Sequence, residues 1–110
     1  GGRTFHAAAL VVAMADFYAS LSDDTLAPGF EPALVALWWA AKGNWEGAHQ
    51  VVQVESDANS AWVHAYLHRV EGDLGNAGYW YRQAGQPVAK DSLDTEWERI
   101  VSALLGGKKA

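Results

Sequence analysis

The chain has 110 residues, half of them hydrophobic and 19% charged, which suits a single domain over residues 1–110 and excludes disorder or a two-domain arrangement. Eight basic residues against thirteen acidic ones give a net charge of −5, and the terminal pair Lys108-Lys109 is the only basic run, so nucleic acid is not an expected partner. Cysteine is absent, which removes disulfides, thiolate metal sites and cysteine nucleophiles, and no apolar run reaches the roughly 20 residues of a bilayer span.

Sustained alternation of apolar and polar residues is missing, while apolar residues recur at intervals of three and four between Gly, Pro, Asn and Asp, so the expected class is all-α with about six helices. The first helix is predicted from Thr4 to Leu21. Arg3 followed by Ala7–Ala15 has the layout of a secretory leader, but Phe17, Tyr18 and Leu21 continue the helical spacing beyond its cleavage point, which favours a folded helix. Leu10, Met14, Phe17 and Leu21 form one face, whereas Val11, Val12 and Tyr18 fall elsewhere, which suggests a homodimer formed through this helix.

A second helix is expected from Pro32, a residue suited to a first turn, to a stop at Gly43. Asn44 caps a third helix from Trp45 to Glu55. The segment Ser56–Ser60 offers capping oxygens for a fourth, which runs through Trp62, Tyr66 and Val70 to Gly72. Asp73 then caps a fifth helix over Leu74–Ala84, stopped by Gly85 and Pro87. Ser92 or Asp94 caps the last, whose Leu93, Trp97, Ile100, Val101 and Leu104 make one stripe, with Asp94, Glu96 and Glu98 near its positive end.

Shifting the chain by 29 residues superposes Ala36 on Ala65, Gly43 on Gly72, Asn44 on Asp73, Trp45 on Leu74 and Ala48 on Ala77. Each copy reads as a helix, a glycine stop, an Asn or Asp cap, a large apolar residue and a small one where two helices approach. This spacing resembles the tetratricopeptide repeat, and Tyr79-Trp80-Tyr81-Arg82-Gln83-Ala84 resembles the end of the Sel1-type repeat, over roughly residues 32–84. The copy length of 29, His68 in place of a late aromatic, and the lack of a proline after the first hairpin depart from the family pattern. The string Trp62–Arg69, with Glu71–Ala77 and Tyr79–Arg82, also resembles a group of small bacterial proteins that implies no activity. The repeat resemblance implies a right-handed α-α superhelix, here two hairpins between flanking helices, with a cytoplasmic location and a non-enzymatic role in binding a protein or peptide segment.

On that resemblance the concave face carries Asn59, Trp62, Tyr66 and Arg69: two aromatics with polar tips, an amide for a peptide backbone, and a guanidinium for a carboxylate. The same aromatics would serve equally as packing between helices. His64 and His68 offer a second chemistry, because residues four apart share a helical face and two imidazoles at that spacing can hold one metal. Glu71 could add a carboxylate and His49 a third nitrogen, making a nitrogen and oxygen site suited to zinc, nickel or iron. A paired histidine inside a hairpin is more often a core residue with a hydrogen-bonded ring, so the interaction-module reading calls for no cofactor and no catalytic residue. No phosphate-binding loop or nucleophile elbow is present.

Overall fold

A computed structural model describes residues 2–107, with side chains from residue 7 onward; Lys108, Lys109 and the Arg3 side chain lie outside the described residues. Six helices and no strand occur there: α1 (Gly2–Ser20), α2 (Pro32–Ala41), α3 (Trp45–Gln53), α4 (Ala58–Val70), α5 (Leu74–Ala84) and α6 (Leu93–Leu105). The all-α class is therefore the fold. Against the sequence reading, α1 starts two residues earlier, and α3 and α4 stop two residues before Glu55 and Gly72.

The helix starts are chemically explicit. Side-chain oxygens of Asn44, Asp57, Asp73 and Ser92 accept the backbone N–H groups of Gly47, Ser60, Asn76 and Thr95, each three residues on, satisfying donors that a helix start would otherwise leave unpaired. Asp57 takes the cap offered by the Ser56–Ser60 segment, and Ser92 rather than Asp94 caps α6.

The internal repeat is present in the backbone. Asn44 N–H donates to Trp39 O at 2.9 Å, and 29 residues later Asp73 N–H donates to His68 O at 2.9 Å. Gly43 and Gly72 lie between at φ +81° and +84°. This left-handed residue satisfies the last carbonyls and turns the chain directly into the next capped helix. A Cβ on Gly72 would meet nothing within 4 Å, so Gly72→Ala isolates the backbone strain. Chemical denaturation is expected to show a loss of about 1 kcal/mol.

The strongest packing is within the pairs α2–α3 and α4–α5, and α4 alone also touches α2, α3 and α6. Every residue from Asn59 to His68 is buried, because α4 is enclosed on all sides. Around it lie Leu34, Leu37, Trp38, Val52, Tyr81, Ile100 and Val101. Trp97 ties α6 to α2 by donating its indole N–H to Leu37 O at 2.8 Å. Phe17 anchors α1 against Phe30 and Trp97, while Val11 and Val12, at 68% and 59% exposure, face outward.

Candidate metal centre

The enclosure of α4 brings its two histidines under α3 and α5. His49 descends from α3, one turn after Trp45, and His64 and His68 stand one turn apart on α4. Ring centroids lie 4.7 Å apart for His49 and His64, 5.4 Å for His49 and His68, and 4.9 Å for His64 and His68. One ligand nitrogen from each ring falls within 4.8 Å of the others. The closest pair, His49 Nε2 and His64 Nε2, is 3.0 Å apart. Two imidazole nitrogens bound to one ion about 2.0–2.1 Å away stand roughly 3.0–3.4 Å from each other, so this edge of the triangle already has the span of a shared ion.

Two tryptophans wall the cluster. The Trp45 ring stacks on His49 with an interplanar angle of 9°, and Trp80 from α5 stacks on His64 at 3.9 Å. Trp45 is itself fixed, since its indole N–H donates to Leu67 O at 2.7 Å. The rings are thus held in orientation by apolar contact, a requirement for any site that must present lone pairs at fixed angles.

The hydrogen bonds constrain the tautomers. Glu71 Oε1 lies 2.7 Å from His68 Nδ1, and a carboxylate can only accept, so a proton sits on Nδ1 and Nε2 is the nitrogen through which the ring would meet a metal. His49 and His64 can share only one proton across their 3.0 Å contact. His64 Nδ1 is buried with no hydrogen-bond partner among the described residues. A buried ring nitrogen without a partner costs about 1–3 kcal/mol, so the site is polar beyond what the protein itself satisfies.

Electrostatics favour the neutral form of His64 and His49. Burial, and then the neighbouring His49 and His68, push the His64 pKa down to about 4. His49 is also lowered, first by desolvation and second by His68, with Glu71 and Glu46 opposing. Low basicity toward protons leaves the His64 and His49 rings in the state in which each can donate a lone pair to a metal.

All four residues of the histidine set proposed from sequence come together. His49, His64 and His68 form the triangle, and Glu71 stands behind His68; Asp73 approaches the same side, where it also caps α5. The other set is buried along α4. Trp62 and Tyr66 are 5% and 7% exposed, and Asn59 donates to Glu31 Oε1 at 3.0 Å. Arg69 does fork onto carboxylates, but they belong to the chain: it donates to Glu96 Oε1 at 2.9 Å and pairs with Asp91, whose carbonyl it also reaches.

Sequence reasoning missed Glu96, placing it among the acids that favour a helix start. It is fully buried, accepting from Arg69 and from the Tyr81 hydroxyl. A signal was there: Glu96 is three residues after Leu93 and four before Ile100, on the apolar stripe itself, next to Trp97. No protein-family model matches the chain, and comparison with curated proteins and with solved structures gave no match.

Proposed function

We propose that the protein is a metal-binding helical domain that takes one divalent late transition ion through His49, His64 and His68. The observation that carries this reading is the triangle of ring nitrogens within 4.8 Å, with two of its three rings buried. Three neutral nitrogen ligands and no thiolate suit zinc or nickel, and they leave a fourth position for solvent or a further ligand. Glu71 acts one step back, orienting His68 and raising its basicity through the Nδ1 proton. Because the ligands come from α3 and α4, a bound ion would clamp the first hairpin to the second.

Recognition of a peptide through Asn59, Trp62, Tyr66 and Arg69 has less support, since Asn59 and Arg69 bond to other parts of the chain and both aromatics are buried. A second copy packing on the exposed Val11 and Val12 of α1 remains compatible with metal binding.

Titration of the tag-free protein with zinc in a competing chelator tests the proposal. The unaltered chain is expected to bind one ion, and Glu71→Gln to weaken it about 10–100-fold. His49→Ala, at the half-buried corner of the triangle, should abolish stoichiometric uptake while the helical circular dichroism signal is retained. Equal affinity in the unaltered chain and in a folded His49→Ala variant would overturn the assignment.

A further inference from the structure

Helix α1 has the composition of a buried helix and little of the burial. Every residue from Ala7 to Ala15 is apolar, and the only charge between Ala7 and Ser20 is Asp16, yet Phe17 is the one side chain of that stretch that is buried. A helix apolar on all sides is the pattern of one enclosed by protein. Here backbone packing joins α1 to α6 alone among the described helices, with one further tie from the Trp38 indole N–H to Ser20 Oγ at 3.1 Å. The side toward α6 carries Phe17, against Trp97, and Tyr18, which donates to Glu98 Oε1 at 2.9 Å. The side turned from α6 carries Ala8, Val11, Val12 and Ala15, spaced at three, one and three, all exposed and none with a polar side-chain atom. We propose that this face pairs α1 with α1 of a second copy of the chain, antiparallel, about a two-fold axis passing between Val11 and Val12.

The order of the residues selects a second copy as the occupant. Outward from the midpoint of Val11 and Val12, the strip meets a valine and then, three residues on, an alanine in both directions, at Ala8 and at Ala15. A two-fold interface must match itself when rotated, and this strip does: Val11 comes against the partner's Val12, and Ala8 against the partner's Ala15. The alanines at both ends let the two backbones approach to the short end of the roughly 8–10 Å range of helix packing, while the valines of both copies fill the middle.

Charge sets the direction. In a parallel pair the two Asp16 carboxylates would stand level, whereas the antiparallel pair sets Asp16 level with the partner's Ala7, leaving the two acids about 14 Å apart along the axis. It also brings the start of one α1, the positive end of its backbone dipole, level with the turn that carries Asp23 and Asp24 beyond the end of the other. A contact between two helices of this length belongs with the small interfaces, under about 1,200 Å² in total, so the dimer forms and separates with concentration. It uses none of the three histidines and does not rest on metal binding.

Sedimentation equilibrium of the tag-free full chain, in chelator so that no metal bridges two copies, tests the proposal. The mass is expected to rise from that of a monomer toward twice that value between about 10 μM and 1 mM, and the Val11→Glu, Val12→Glu double variant to stay monomeric throughout. Both valines are exposed in the single chain, so the variant should keep its helical circular dichroism signal, which separates lost pairing from unfolding. Introduced thiols report the direction, because the chain has no cysteine of its own. Two Ala8→Cys chains hold their thiols about 10 Å apart along the axis, too far for a disulfide, whereas a mixture of Ala8→Cys and Ala15→Cys chains brings them level. Under mild oxidation the mixed pair is expected to cross-link about tenfold faster than either variant alone. A chain that stays monomeric at about 1 mM, a dimer that survives in the folded double variant, or Ala8→Cys cross-linking to itself as fast as to Ala15→Cys would overturn it.

Discussion

Replacing Glu96 by alanine is expected to cost about 3–5 kcal/mol of folding stability, the largest effect of any single substitution proposed here. The carboxylate is fully buried, and two groups depend on it. Arg69 donates to Oε1 at 2.9 Å from a side chain only 16% exposed, so its loss leaves a cation inside the fold with Asp91 alone as an acidic partner. The Tyr81 hydroxyl donates to the other oxygen and would become an orphaned buried donor, its acidity no longer suppressed by that carboxylate. The three residues belong to α4, α5 and α6, so the network fixes how the last helix sits on the second hairpin. Glu96→Gln retains the shape and one acceptor and should cost less than alanine. Urea unfolding of the two variants checks this order; a cost below about 1 kcal/mol for alanine would mean that solvent reaches the network.

Acidification should be the second large effect. The His64 pKa is about 4 in the fold against 6.5 for an ordinary histidine, so between these values the unfolded chain binds a proton that the folded chain refuses. Stability is fully present above pH 6.5 and falls as the pH drops toward 4, by about 2 kcal/mol at pH 5 and about 3 kcal/mol at pH 4. His49, lowered by the same burial, adds in the same direction. Denaturation midpoints at pH 7.5 and pH 5, taken in chelator, measure the loss. His64→Phe, which cannot titrate, should flatten the profile; a metal-free midpoint that does not move between pH 7.5 and 5 would contradict a neutral, buried His64. Zinc should restore the midpoint at pH 6 by mass action, because it binds the neutral rings that only the folded chain assembles.

The parts of this fold that were legible in the sequence are those set by local chemistry. Gly43 and Gly72 announced left-handed stops, and Asn44 and Asp73 announced the caps that follow, because each acts within four residues of itself. The 29-residue offset was readable for the same reason, since both copies of the turn repeat the same hydrogen bonds. The pairing of His64 with His68 followed from helical spacing, and Glu71 from the next turn. What stayed hidden was long-range. That α4 would be enclosed on every side, turning Trp62 and Tyr66 from a display surface into packing, depends on α6 returning across the hairpins from more than 20 residues away. Arg69 was assigned the right chemistry, a guanidinium facing a carboxylate, but the partner is Glu96, 27 residues on. His49 could be named as a ligand only on condition that α3 crossed α4 at its level, and its 3.0 Å approach to His64 is a property of that crossing.

X-ray absorption at the zinc edge of the tag-free protein, loaded with one equivalent of zinc, tests the metal assignment most directly. The assignment predicts three imidazole nitrogens at about 2.0–2.1 Å with the outer-shell scattering of intact rings, reduced to two in His49→Ala if any zinc is retained. A first shell of oxygen alone, or zinc lost completely from the unaltered chain on desalting, would contradict it and leave the histidine triangle as packing.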